Sequence, residues 1–148
     1  TSAKALIVRD GCLLAVENRD PEGAYYLLPG GGQEPGENLH DALRRECREE
    51  IGTEVQIGEL RLVRDYIGRN HEFASEDRDF HQVELMFECR VPADYSPKHG
   101  HTPDSHQTDV VWLPLAELQA YRLYPSLLIA IVKEGIPASC PVYLGDVN

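Results

Sequence analysis

Three glutamates, Glu46, Glu49 and Glu50, stand at i, i+3 and i+4 along the chain. On a helix that spacing puts three carboxylates on one face, within a turn of each other. Arg45 lies four residues before Glu49, where a guanidinium can reach a carboxylate. A fourth acid, Glu37, precedes the group, and Pro29-Gly30-Gly31-Gly32 precedes Glu37. Carboxylates so crowded repel one another, and near the C-terminal end of a helix they also meet the negative end of its dipole. A sequence shaped for stability alone would place Lys or Arg there. The misfit asks for a positive partner. A hard divalent cation such as Mg2+ or Mn2+ takes carboxylate oxygens and is a natural one. The rival reading is a plain solvated acidic face. The glycine-rich lead-in, Glu37 and the fixed spacing weigh against it.

The element that must position these groups is the clearest helix in the chain. Asn38 is a good N-cap, and Asp41 three residues later stands where a capping box has its acid. Leu39, Leu43, Cys47 and Ile51 recur every four residues, with Ala42 beside them, and make one apolar stripe facing a core. Gly52 sits where a left-handed stop needs a residue without Cβ. The pattern predicts a helix over residues 38–51, about 20 Å long at about 1.5 Å per residue.

Around it, strands and helices alternate. Lys4–Val8, Asp10-Gly11 and Cys12–Val16 read as a β-hairpin. Tyr25–Leu28 is a short strand stopped by Pro29, and Val55–Ile67 is a long strand broken near Gly58. Val83, Leu85, Phe87 and Cys89 alternate with Gln82, Glu84, Met86 and Glu88, giving a strand with one buried and one more polar face. Residues 92–107 are a proline- and histidine-rich loop, and Val110–Leu113 is a strand. Pro114 opens a short helix through Leu118, and Pro125 opens a last helix to about Glu134. With no repeat or Pro/Ser-rich linker, the 148 residues read as one domain, 1–148, of class α/β (α+β).

Composition narrows the function. There are 25 acidic and 14 basic residues, a formal charge of −11. Such a chain repels nucleic-acid backbones and anionic membranes, so long nucleic acid is not an expected partner. The apolar run Leu127–Val132 is far short of the roughly 20 residues of a membrane span. No basic region followed by a long apolar stretch marks the first residues as a signal peptide. Cys12, Cys47, Cys89 and Cys140 form no Cys-x-x-Cys pair, which disfavours a zinc ribbon or redox motif and suits free thiols in a reducing cytoplasm. There is no Gly-Lys-Ser/Thr phosphate loop and no Gly-x-Ser-x-Gly nucleophile elbow.

Residues 31–53 resemble the Nudix hydrolase signature. Its positions are occupied by Gly31, Glu37, Arg45, Glu46, Cys47, Glu49, Glu50, Gly52 and Thr53, with Cys47 and Thr53 standing at aliphatic positions. The strand leading into Pro29-Gly30-Gly31-Gly32 and the segment Trp112–Leu118 also resemble the family's flanks. The resemblance implies an α/β/α sandwich with a mixed sheet. It also implies Mg2+- or Mn2+-dependent hydrolysis of a nucleoside diphosphate linked to another group, either ADP-ribose-like or a (deoxy)nucleoside triphosphate. By position it makes Glu46, Glu49, Glu50 and the Gly31 carbonyl metal ligands, with one glutamate acting as general base. Arg45 would orient the glutamates, and Glu37 would support the loop or helix. Many relatives are dimers, so a homodimer is admitted, though no stretch marks an interface.

Outside the motif the candidates are weaker. Glu84 and Glu88 share the polar strand face, and Glu84 is a candidate further metal or base residue, against the reading of both as exposed strand residues. His99, His101 and His106 read as a substrate-side loop rather than a zinc site, and His81 as a strand cap rather than a phosphate contact. Tyr25, Tyr26, Phe80 and Trp112 read as core rather than base-stacking residues. No proline lies between Pro35 and Pro92, so one mark of ADP-ribose-specific relatives is missing, and Tyr66 is a poor match to the tyrosine of diadenosine-polyphosphate hydrolases. The rival functional class is a nucleotide-sensing or partner-binding module that kept the fold and lost catalysis. Such modules usually lose motif glutamates, and here all are present. A hydrolase of capped or 5′-triphosphate RNA is disfavoured by the absence of a basic run.

Overall fold

The computed structural model describes residues 1–98, 100 and 104–148. His99 and His101 therefore lie outside the described residues. Among the described residues, ten strands form two sheets: β1 (Ser2–Leu6), β2 (Val8–Arg9), β3 (Cys12–Asp20), β4 (Gly23–Leu27), β5 (Gly30–Gly32), β6 (Gln56–Ile67), β7 (His81–Arg90), β8 (Gln107–Pro114), β9 (Leu123–Tyr124) and β10 (Tyr143–Asp146). The first sheet runs β10-β6-β7-β1-β5 and the second β2-β3-β4-β9, with β8 also paired to β3. The first sheet is mixed: β1 runs parallel to β7 and antiparallel to β5, and β10 runs parallel to β6.

The long helix α1 (Leu39–Ile51) forms where its sequence signals put it. The Asn38 side chain accepts from the Asp41 N–H, and Gly52 stops the helix in the left-handed region at φ 70°. Its stripe of Leu43, Cys47 and Ile51 is fully buried against Ala3, Ala5 and Phe87 of the first sheet. On the other face of that sheet, Leu6, Leu62 and Met86 pack with Leu115, Leu118, Leu128 and Val132. These last four come from a 3-10 turn (Leu115–Ala120) and from the short helix at Leu128–Ile131 and its flank. The layers are thus helix, mixed sheet and helical turns, the α/β/α arrangement expected.

Three expectations change. The Asp10-Gly11 turn does close a hairpin, with both residues at positive φ (51° and 72°) and Val8 opposite Leu13. But Ser2–Leu6 is not its first arm: the chain crosses at Ile7 into the other sheet. A turn fixes only its neighbours, and the pairing of β1 with β7 leaves no local trace. The last helix is a single turn, Leu128–Ile131, rather than residues 125–134. Finally, the polar face of β7 is covered: Glu84 and Met86 are buried while Val83 is exposed. Alternation assumes one wet face, and this sheet is packed on both.

β10 closes the free edge of β6. Asp146 accepts from the Ile67 N–H (3.0 Å) and Asn70 Nδ2 (2.6 Å), and lies 2.6 Å from His71 Nε2. Burial works against its ionisation, but the bonds from Asn70, His71 and Ile67 outweigh it and hold the carboxyl down at about 2. Among the described residues, no helix is long and apolar enough to cross a membrane.

A carboxyl held below its ordinary value of about 3.9 stabilises the fold above that pH and loses this contribution as pH falls toward 2. Asp146→Asn should therefore lower Tm by a few degrees at pH 7. The gap to wild type should shrink between about pH 4 and 2, followed by thermal melts across that range. A gap that is constant with pH would contradict the assignment.

Candidate active site

Strand β5 is the outer edge of the first sheet, so Gly30 presents its backbone polar groups away from β1. Both are taken. The Gly30 N–H donates to Glu50 Oε2 (2.8 Å), and the Gly30 carbonyl accepts from Lys4 Nζ (2.5 Å). The next carbonyl on the same edge, that of Gly32, accepts from Arg45 Nη2 (2.8 Å). Two cations and one carboxylate thus fasten the glycine strand to α1 and β1. At Gly31 between them a Cβ would stand 2.6 Å from Glu46 Cδ, so any side chain there would displace that carboxylate.

Arg45 gathers the acids. Its Nε and Nη2 donate to the two oxygens of Glu37 (2.7 and 3.0 Å), a fork-to-fork pair. Its Nη1 donates to Glu46 Oε1 (2.8 Å) and Glu49 Oε2 (3.2 Å). The bond from Arg45 holds the Glu37 carboxyl down at about 2, and Glu37 in turn raises the guanidinium further above its ordinary value. Glu46 is pushed up by burial, against the pull of Arg45. Glu50 is the most enclosed, at 4% exposure, and burial pushes it up to about 8, against the nearby Lys4 and the Gly30 N–H.

The end of α1 is closed from outside the helix. The Gly100 N–H (3.1 Å) and Gln107 Nε2 (2.8 Å) donate to the Glu50 carbonyl, and the Tyr95 hydroxyl donates to that of Ile51 (2.9 Å). The segment approaches closely enough that a Cβ on Gly100 would stand 2.1 Å from the Glu49 carbonyl oxygen. These donors offset the negative helix end that a lysine would otherwise have tempered. The described part of the 92–107 loop therefore lies against the site, while His106 is exposed.

Other candidates lie elsewhere. Glu84 is not exposed; its carboxylate is spent on Arg64 Nε (2.6 Å) and Gln82 Nε2 (3.2 Å). Burial alone would raise it, but Lys4 and Arg64 win and lower it. Glu88 pairs with Arg61, and His81 with Asp65. Phe80 is 47% exposed rather than core. Trp112 is partly buried under the Arg9 guanidinium, 4.6 Å from its ring centre. Tyr26 packs edge-on against Tyr121, and Tyr25 lies in an aromatic group with Phe73 and Tyr124. All four cysteines are free. Lys4 is the group that the sequence did not mark as functional. The signal available was a lysine in the middle of Ser2-Ala3-Lys4-Ala5-Leu6, an otherwise small and apolar strand.

The donor set fits a hard cation. Glu46 Oε2 and Glu49 Oε1 accept no hydrogen bond among the described residues, and Glu50 is a buried acid with no cation bonded to it. As these side chains stand, no three His, Cys, Asp or Glu groups among the described residues converge as a metal cluster, since Arg45 draws Glu46 and Glu49 to itself.

The NUDIX domain model matches residues 1–130. The chain belongs to the NUDIX family. It is 31% identical over 136 residues to the nucleoside triphosphatase NudI of Salmonella paratyphi B, covering 88% of this chain and 93% of that one. A NUDIX hydrolase from Nitrosomonas europaea superposes with a TM-score of 0.70 at 21% identity, over 93% of this chain and 91% of that chain. An ADP-ribose pyrophosphatase from Streptococcus suis does so with a TM-score of 0.63 at 17% identity, over 98% and 96%. The last two show a shared fold. This NUDIX chain is a hydrolase, and hydrolases of the family generally need divalent metal ions.

The contact at Gly31 gives a direct check. In Gly31→Ala the new methyl meets only the end of a flexible side chain, so Glu46 can swing aside and the fold survives. Turnover should fall by about tenfold or more while Tm moves only a few degrees. Unchanged turnover would contradict the placement of Glu46 over this strand.

Proposed function

We propose that this chain is a Mg2+- or Mn2+-dependent pyrophosphohydrolase cleaving a diphosphate bond in a small nucleotide. Nucleoside triphosphates are the first candidates and nucleoside diphosphate sugars of the ADP-ribose type the second. The observation that carries this reading is the joining of Glu37, Glu46 and Glu49 by one guanidinium, with the Glu46 carboxylate standing against Gly31. The similarity to a protein named as a nucleoside triphosphatase favours triphosphates.

Glu46, Glu49 and Glu50 would hold the cation, which would neutralise diphosphate oxygens and make water a better nucleophile. The Gly31 carbonyl, expected from the sequence as a further ligand, is turned inward to Ala3 of β1. The chain's own residues do the rest. Glu50 is fixed by the Gly30 N–H, and Glu46 is wedged over Gly31. Glu49 is the most open of the three, with 35% of its side chain exposed against 13% for Glu46, and would take the proton from the attacking water. Arg45 sets the direction of both carboxylates and is itself held by Glu37. All motif glutamates are present and engaged, which favours a working hydrolase over a sensing module.

A panel of nucleoside triphosphates and ADP-ribose-like compounds, with Mg2+ or Mn2+ and product identification, tests the reading. Glu49→Gln and Glu50→Gln should each lower turnover by about 10²-fold or more. Full activity in both variants would overturn the assigned roles.

A further inference from the structure

Three cations stand around the acidic site and the sheet beside it, and they differ in what their donors do. Arg45 spends all three nitrogens on Glu37, Glu46, Glu49 and the Gly32 carbonyl. Arg64 is 4% exposed and gives Nε to Glu84 and Nη1 to the Val147 carbonyl and Asn148 Oδ1. Lys4 is only half-buried, and of the three N–H bonds of its ammonium one is used, on the Gly30 carbonyl (2.5 Å). Among the described residues its other donors have no protein acceptor.

Its position adds to this. Lys4 faces Gly30 across β1 and β5, one residue from Gly31. Its charge is felt at Glu46 and Glu50 on the α1 side and at Glu84 on the other. It also lines a small cavity of about 30 Å³ with Leu27, Arg64, Glu84 and Tyr124. A lysine in a strand of small and apolar residues is a costly choice if it serves only to cap one carbonyl.

We propose that Lys4 is a substrate-binding residue, donating to a phosphate oxygen of the diphosphate at the end away from Arg45. This rests on the function proposed above, for it names which group of the chain takes the polyanion that the glutamates alone would repel. The Gly30 carbonyl holds the ammonium in place, and a bound phosphate fills the donors left over. The strand edge then offers a fixed cation beside the carboxylates.

The test compares Lys4→Met, Lys4→Gln and Lys4→Arg with wild type, each checked by thermal melt. Three quantities are read: KM and kcat on a nucleoside triphosphate, and calorimetric affinity for inorganic pyrophosphate in Mg2+. Loss of one charge-assisted bond should raise KM and weaken pyrophosphate binding by about tenfold or more in the Met and Gln variants. Their kcat should move less than KM, and Lys4→Arg should keep most of the affinity. Unchanged KM and pyrophosphate affinity in a folded Lys4→Gln would overturn the proposal. So would a fall in kcat alone, the mark of a lysine that only braces Gly30. Pyrophosphate binding that depends on Lys4, in a protein that hydrolyses none of the nucleotide panel, would uphold this inference while the proposed reaction fails.

Discussion

One guanidinium holds the site together. Arg45 bonds Glu37, Glu46 and Glu49 and the Gly32 carbonyl, and so ties the loop before α1, the helix itself and the sheet edge to one planar group. Carboxylates at helical spacing would otherwise spread apart into solvent. A planar fork with donors on three nitrogens fixes their directions, which a lysine could not do. The cost is that like charges stay close, and the surrounding structure is arranged to bear it.

That arrangement is visible on every side of α1. Its apolar stripe anchors it on the first sheet, and Asn38 and Gly52 set its ends. Tyr95, Gly100 and Gln107 donate to its last carbonyls. Lys4 and Glu50 occupy the two outward groups of Gly30, so the edge strand cannot drift from the helix. Among the described residues, the four acids Glu37, Glu46, Glu49 and Glu50 have one bonded cation, Arg45, with Lys4 beside them on the Gly30 carbonyl. On the proposed function, a divalent cation would balance this surplus and let a chain of net charge −11 take a phosphate substrate.

Much of this could be read from residues 29–53, because their signals are local. Caps, a four-residue apolar repeat and carboxylate spacing act within one helix, and α1 formed as they indicate. What could not be read comes from long-range pairing. Lys4 meets Gly30 because β1 pairs with β5, and Glu84 meets Arg64 because β6 pairs with β7. Nothing near Glu84 in sequence says that its strand face is covered. The run Leu127–Val132 looked like part of a longer helix because buried apolar residues resemble one another whether a helix or a turn carries them.

The most direct measurement of whether this acidic surplus is a cation site is a Mn2+ titration of the metal-free protein, followed by the loss of free-ion signal in electron paramagnetic resonance. Saturable binding is expected in wild type, weakened by about tenfold or more in Glu49→Gln with the melting curve unchanged. Equal Mn2+ binding by both proteins, or none by the wild type, would contradict it.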